Sequence, residues 1–304
     1  MTDAPRPEVG VAEELDTGLR RILAPNPSPM TYWGTNTYLL GQRDITVIDP
    51  GPDNDAHLRA ILNALGPQQK IAKIIVTHAH LDHSPLASKL SAATGAQVYG
   101  FGNYLAGRSE VMQRLSSKGF LSGGEGVDAD FKPDIAVAHC ELVDIEDGQL
   151  EVLHTPGHFG NHISLALGDI CFTGDHVMGW ASSLVSPPDG DLTDFMASCE
   201  LLAAREWRCF HAGHGAPITE PNERLTWLIT HRRSRESEIL NALENGMDSA
   251  EGLARKIYHD VNPALLPAAA RNVFAHLVDL TGRGLVKPTQ DIEFSSPFEL
   301  IKKI

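Results

Sequence analysis

Cysteine is scarce in this chain: four residues in 304, Cys140, Cys171, Cys199 and Cys209, with no C-x-x-C pair among them. That excludes a disulfide-stapled scaffold and reads as small core residues of a cytoplasmic protein. Basic residues are in deficit, 25 against 39 acidic, for a formal net charge of −14. A surface so acidic repels polyanions and argues against general nucleic-acid binding. The one short basic cluster, His231-Arg232-Arg233-Ser234-Arg235, reads as the solvated face of a long helix. No apolar run approaches the about 18 residues of a membrane span. Residues 1–19 are acidic and Pro-containing, without the apolar stretch of a signal peptide. There is no G-x-S-x-G segment, so no serine nucleophile elbow is available. Internal repeats and low-complexity tracts are also missing.

What is present suits a folded enzyme. Apolar residues make up 42% of the chain, enough for a sizeable core. The length points to one large domain and a small one, placed at 1–220 and 221–304. Residues 17–23, 37–40 and 45–48 read as strands separated by turn-forming residues. A helix over 56–65 is stopped by Gly66-Pro67. A strand at 74–77, a helix over 84–94 with Pro85 in its first turn, and a strand at 97–99 continue the alternation. Residues 102–132 read as an insertion near the mouth of a site, with a helical piece at 106–117 and a loose Ser122-Gly123-Gly124-Glu125-Gly126. Strands return at 140–143, 150–154, 163–167 and 170–173, with Asp147-Gly148 and Gly168-Asp169 as turns.

Strand runs on both sides of helical segments predict an α/β fold, two mixed sheets face to face with helices outside. Helices over 222–245, 249–259 and 265–281 then lead to a small wing at 282–287 and 292–294. That order resembles a winged helix. Its third helix offers few basic residues outside Arg271 and Arg283, so the unit reads as a packing or lid domain and not as a DNA reader.

The richest segment is Thr77-His78-Ala79-His80-Leu81-Asp82-His83, directly after the apolar Ile74-Ile75-Val76. A strand feeding such a turn can converge imidazole nitrogens and a carboxylate on a transition metal. H-x-H-x-D-H resembles the signature of the metallo-β-lactamase superfamily. The remaining motifs of that family follow in order: Thr155-Pro156-Gly157-His158, Phe172-Thr173-Gly174-Asp175 and Gly213-His214-Gly215. Glycines beside His158, Asp175 and His214 mark tight turns that aim these side chains. His211 competes with His214 but lacks glycine on both sides. The T-x-A-H-L-D-H-S-P form, His214-Gly215 followed by Ala216-Pro217, and the C-terminal extension are similar to the β-lactamase-like protein 2 group; many relatives have Gly-Gly where this chain has Ser84-Pro85, and they vary where it has Asn161-His162.

The resemblance implies an αββα sandwich holding two divalent metals, zinc first, with iron or manganese as alternatives. It puts His78, His80 and His158 on one ion, Asp82, His83 and His214 on the other, and Asp175 between them. Asp82 and Asp175 become the catalytic carboxylates. A metal-bridging hydroxide would then attack an ester, thioester, lactone or amide carbonyl of a small molecule. Asp49 is a candidate to brace the metal loop, and His162 and His176 to orient a ligand or the substrate. Tyr32, Trp33, Tyr104 and Trp180 are candidates for the pocket wall. A metal-dependent endoribonuclease is the alternative; it needs a local positive path, from Arg205, Arg208 and the cluster 232–235. An iron-dependent redox enzyme ranks third. No membrane partner is expected, and a homodimer is left open.

Overall fold

The computed structural model describes residues 5–117, 126–259 and 262–301. Two sheets are built in succession along the chain. The first comprises β1 (Ala12–Asp16), β2 (Leu19–Leu23), β3 (Asn36–Leu40), β4 (Asp44–Ile48), β5 (Lys70–Ile75), β6 (Gln97–Gly100) and β7 (Ile135–Ala136), side by side in that order. Pairing is antiparallel from β1 to β4 and parallel from β4 to β7. The second comprises β8 (Leu142–Ile145), β9 (Gly148–His154), β10 (Ile163–Leu167), β11 (Ile170–Gly174) and β12 (Cys209–Ala212), antiparallel except for the parallel β11–β12 edge.

The period of two along a strand sorts the residues into layers. Ile48 of β4, Ile75 of β5, Leu165 of β10 and Phe172 of β11 meet in one cluster between the sheets. Ile45 and Val47 face the other way, onto α1 (Asp55–Asn63) and α2 (Leu86–Thr94). The short α3 (Glu110–Ser117) follows β6. Ala166 and Cys171 face α4 (Leu192–Ala203) and the first turns of α5 (Pro221–Glu244). The result is the predicted sandwich. The end of α5, α6 (Ala250–Ile257), α7 (Leu266–Gly282) and a ribbon of β13 (Val286–Pro288) with β14 (Phe298–Leu300) enclose a further core around Phe274 and Phe298. Among the described residues no helix is long and apolar enough to cross a membrane.

Several sequence expectations are corrected. A strand does not begin at Cys140, which sits in a left-handed turn at φ 65°; β8 starts at Leu142. The ribbon's second strand is Phe298–Leu300 and not 292–294. Ile292 and Phe294 pack on the helical core, whereas Phe298 is buried and exchanges backbone hydrogen bonds with Asp248. The helical piece of the insertion starts at Glu110. Of the loose stretch read at 122–126, residues 122–125 lie outside the described residues. Arg232, expected on a solvated face, is only 3% exposed. β1, β7, α4 and β12 carried no assignment.

Candidate metal centre

Every residue of interest lies just past the C-terminal end of a strand, where an open sheet leaves backbone free to turn. β5 ends at Ile75, and the chain folds over so that the His83 and Ser84 amides both donate to the His80 carbonyl (3.0 and 3.1 Å). That turn sends Ala79 into the core and Leu81 to solvent, and draws His78, His80, Asp82 and His83 inward, all buried. β9 delivers His158 through Gly157, at φ 132°, where a Cβ would strike the Phe195 backbone. β11 delivers Asp175 through Gly174, and β12 delivers His214 through Gly213.

The seven predicted residues fall into two groups, His78, His80 and His158 in one, Asp82, His83, Asp175 and His214 in the other. In the first, His80 Nδ1 lies 2.9 Å from His78 Nε2 and 3.1 Å from His158 Nε2. In the second, His83 Nε2 and His214 Nε2 face each other at 3.4 Å. Asp82 Oδ2 is 3.1 Å and Asp175 Oδ2 3.2 Å from His214 Nε2. Asp175 also approaches the first group, its Oδ2 lying 3.7 Å from His158 Nε2.

The outer faces of these imidazoles are fixed. His158 Nδ1 donates to the Leu184 carbonyl (2.7 Å) and His214 Nδ1 to the Gly34 carbonyl (3.1 Å). His83 Nδ1 donates to Asp49 Oδ2 (2.9 Å). Asp49 also accepts from the Thr77 amide and hydroxyl, both at 2.8 Å. A carbonyl oxygen can only accept, so each neutral imidazole carries its proton outside and turns a lone pair inward. Lone pairs crowded at these separations repel unless a cation or proton lies among them. Asp82 Oδ1 is buried without a hydrogen-bond partner among the described residues. Buried acceptors are otherwise paired. This donor set, imidazole nitrogen and carboxylate oxygen with no competing donor, fits a pair of divalent metals.

The electrostatics divide the two groups. Burial, reinforced by neighbouring imidazoles, pushes His78 well down and His80 to about 3; burial also lowers His158. The first group is therefore three neutral imidazoles. Burial opposes charge on His83 and His214 too, but Asp82 and Asp175 outweigh it, raising His83 well above its ordinary value and His214 to about 10. The two carboxyls are held low in return, against burial, by those imidazoles.

The other candidates separate cleanly. Asp49 braces His83. His162 Nδ1 meets the Thr155 hydroxyl at 3.0 Å, and its Nε2 accepts from the Asp175 amide at 3.2 Å. His176 turns away toward Cys199 Sγ (3.4 Å) and the Phe195 ring. His211 packs against Tyr38 and Phe172, outside the site. Tyr32 stacks between Trp33 and Trp180, ring centres 4.7 and 4.9 Å away, and Trp180 covers Gly215 beside His214. Tyr104 packs instead with the helix-side core of the first sheet.

Two contributions escaped the sequence reading. Gly34 and Leu184 act through backbone carbonyls, which carry no residue signature. The loop bearing Leu184 is clamped from outside by Arg232, whose guanidinium donates to the Ser182 and Ser183 carbonyls (2.5 and 2.6 Å) and to Asn272 Oδ1 (2.9 Å). Asn272 Oδ1 also accepts from the Val185 amide at 3.0 Å.

Comparison with known proteins places this geometry. Residues 30–214 match the metallo-beta-lactamase superfamily, and residues 249–294 match the beta-lactamase associated winged helix domain. A beta-lactamase-like protein 2 homolog of Drosophila melanogaster is 32% identical over 292 residues, covering 92% of this chain and 93% of that protein. An atrochrysone carboxyl ACP thioesterase of Passalora fulva is 27% identical over 245 residues, 78% of this chain and 65% of that protein. Among solved structures, a metallo-beta-lactamase family protein of Thermus thermophilus superposes with a TM-score of 0.76 at 24% identity, covering 95% of this chain and all of that one.

Proposed function

The chain belongs to the metallo-beta-lactamase superfamily, and from that membership we propose that it hydrolyses a small ester, thioester, lactone or amide with two divalent metal ions, zinc in the first instance. His78, His80 and His158 would hold one ion, Asp82, His83 and His214 the other, with Asp175 shared. The observation that carries this is the convergence of five buried imidazoles and two buried carboxylates in two adjoining groups, with Asp82 Oδ1 left without a hydrogen-bond partner among the described residues. Bound divalent metals would supply Lewis acidity and a water acidified toward pH 7. The protein's own part is to hold seven donors rigid and to keep the site dry. Asp82 Oδ1, buried and unpartnered, is the acceptor available to take a proton there.

RNA cleavage is the weaker reading because the cations it needs are spent. Arg205 pairs with Glu151, Arg208 with Asp169 and Asp16, Arg233 with Glu200, and Arg235 with Glu238; Arg232 is buried in the loop clamp. The test is elemental analysis of the purified chain with a hydrolysis screen of thioesters, lactones, β-lactams and single-stranded RNA. About two equivalents of zinc per chain, acyl turnover and its loss in His80→Ala are expected. RNA cleavage alone, or one equivalent of iron without hydrolysis, overturns the proposal.

A further inference from the structure

A cavity of about 220 Å³ lies where the metal-site loops meet the C-terminal helices. One wall is Met30, from the segment whose Gly34 carbonyl holds His214; a second is Met178, Trp180 and Leu184, from the loop whose Leu184 carbonyl holds His158. The far wall is α7, through Ala268 and Ala269, with Tyr258 and His231 beside it. The cavity is therefore continuous with the elements that aim two of the site imidazoles. It is smaller than the about 300–1,000 Å³ of a site that encloses a whole drug-sized ligand, so it suits one end of a substrate.

Its chemistry is selective. Thioether, aliphatic and aromatic groups predominate. The arginines that border it are engaged elsewhere: Arg224 donates to the Met178 and Ala181 carbonyls at 2.8 and 2.6 Å, Arg232 to the Ser182 and Ser183 carbonyls and Asn272 Oδ1, and Arg235 pairs with Glu238. Burial, with the nearby arginines, lowers His231 to about 4, so its ring is neutral at pH 7. Ser182, Ser183 and Asn272 add a polar edge to the mainly apolar lining, and Trp180 Nε1 is buried with no hydrogen-bond partner among the described residues. A mainly apolar lining without a free cation disfavours phosphates and carboxylates and favours hydrocarbon.

We propose that this cavity binds the apolar acyl tail of the substrate, a short alkyl or single-ring aryl group, so that the C-terminal helices determine which acyl compound is cleaved. The inference rests on the acyl-hydrolase reading and deepens it. The probes are two thioethers that cannot be hydrolysed, S-methyl- and S-octyl-N-acetylcysteamine, titrated calorimetrically into the protein as isolated. The octyl compound is expected to bind at least tenfold more tightly. Ala268→Phe, which fills the cavity from α7, and Met30→Trp, which fills it from the opposite wall, should each remove that preference. Equal affinities in the parent protein, or a preference that survives in whichever variant keeps its circular dichroism, overturn the inference. No preference in the parent protein beside intact acyl turnover sinks the cavity assignment alone. An intact preference beside absent acyl turnover sinks the hydrolase reading alone.

Discussion

Replacing Asp49 by Asn changes one oxygen and should cost the second group a ligand. Asp49 Oδ1 accepts from the Thr77 amide, and Oδ2 accepts from both the Thr77 hydroxyl and His83 Nδ1. An asparagine that keeps its oxygen on the Thr77 amide places an NH2 where Oδ2 stood. The Thr77 hydroxyl can reverse and accept. His83 Nδ1 can accept only by moving its proton to Nε2, the inward atom. The lone pair that faces His214 is then lost, though no atom has moved. Asp49 lies at φ 51°, a region that asparagine tolerates as readily as aspartate, so the backbone is not strained. Loss of an outer partner of this kind lowers metal affinity about 10- to 100-fold, or about 1.4–2.7 kcal/mol. Competition against a chromogenic chelator should show one of two metals weakened by that factor while the other holds. Two metals bound with unchanged affinity in Asp49→Asn would refute the tautomer argument.

Gly213→Ala places a Cβ against Asp175 Oδ1 and 2.8 Å from His83 Cε1; we expect a folded protein by circular dichroism that has lost the second metal by elemental analysis. Metal loading should release protons, because without metal His83 and His214 carry charge between Asp82 and Asp175. Since His214 is raised to about 10, its charged contacts stabilise the metal-free fold fully below about pH 6.5. That contribution is lost as the pH climbs toward 10. Metal affinity should therefore rise with pH, and the calorimetric heat of zinc binding at pH 7 should scale with buffer ionisation enthalpy; independence from the buffer would contradict this. Arg232→Met strips the loop of its clamp and leaves the Ser182 and Ser183 carbonyls unsatisfied. A loss of about 2–4 kcal/mol in denaturant unfolding is expected, with a raised KM for acyl substrates; unchanged values would mean that the clamp is idle.

The metal loop was legible because its donors crowd into a few consecutive positions after an apolar run, and Asp49 because it ends a buried strand before Pro50-Gly51. The sandwich was legible from strand runs on both sides of helical segments, such as 45–48 and 163–167. β1 was not, because Ala12–Asp16 is an edge strand of mostly acidic, exposed residues with no apolar face to betray it. β14 was misplaced because Ile292 and Phe294 show the right residue types, while the pairing partner is set by Asp248, far away in sequence. α4 had a marker in Asp191, whose side chain caps the Thr193 amide, but the segment carried no assignment. The Arg232 clamp was hidden because a basic helix face and a buried arginine look alike until the helix has a neighbour.

The donors are spread along the chain from His78 to His214, and that spread has a meaning in time. Synthesis runs from the N-terminus, and early segments can fold before later ones exist. The three imidazoles of the first group are all on the growing chain once His158 has been added. The second group lacks an imidazole until His214 is made, and the loop that steadies His158 stays unclamped until Arg232 and Asn272 follow. Filling of the second group therefore waits for His214, and the full steadying of the first waits longer still, for Arg232 and Asn272.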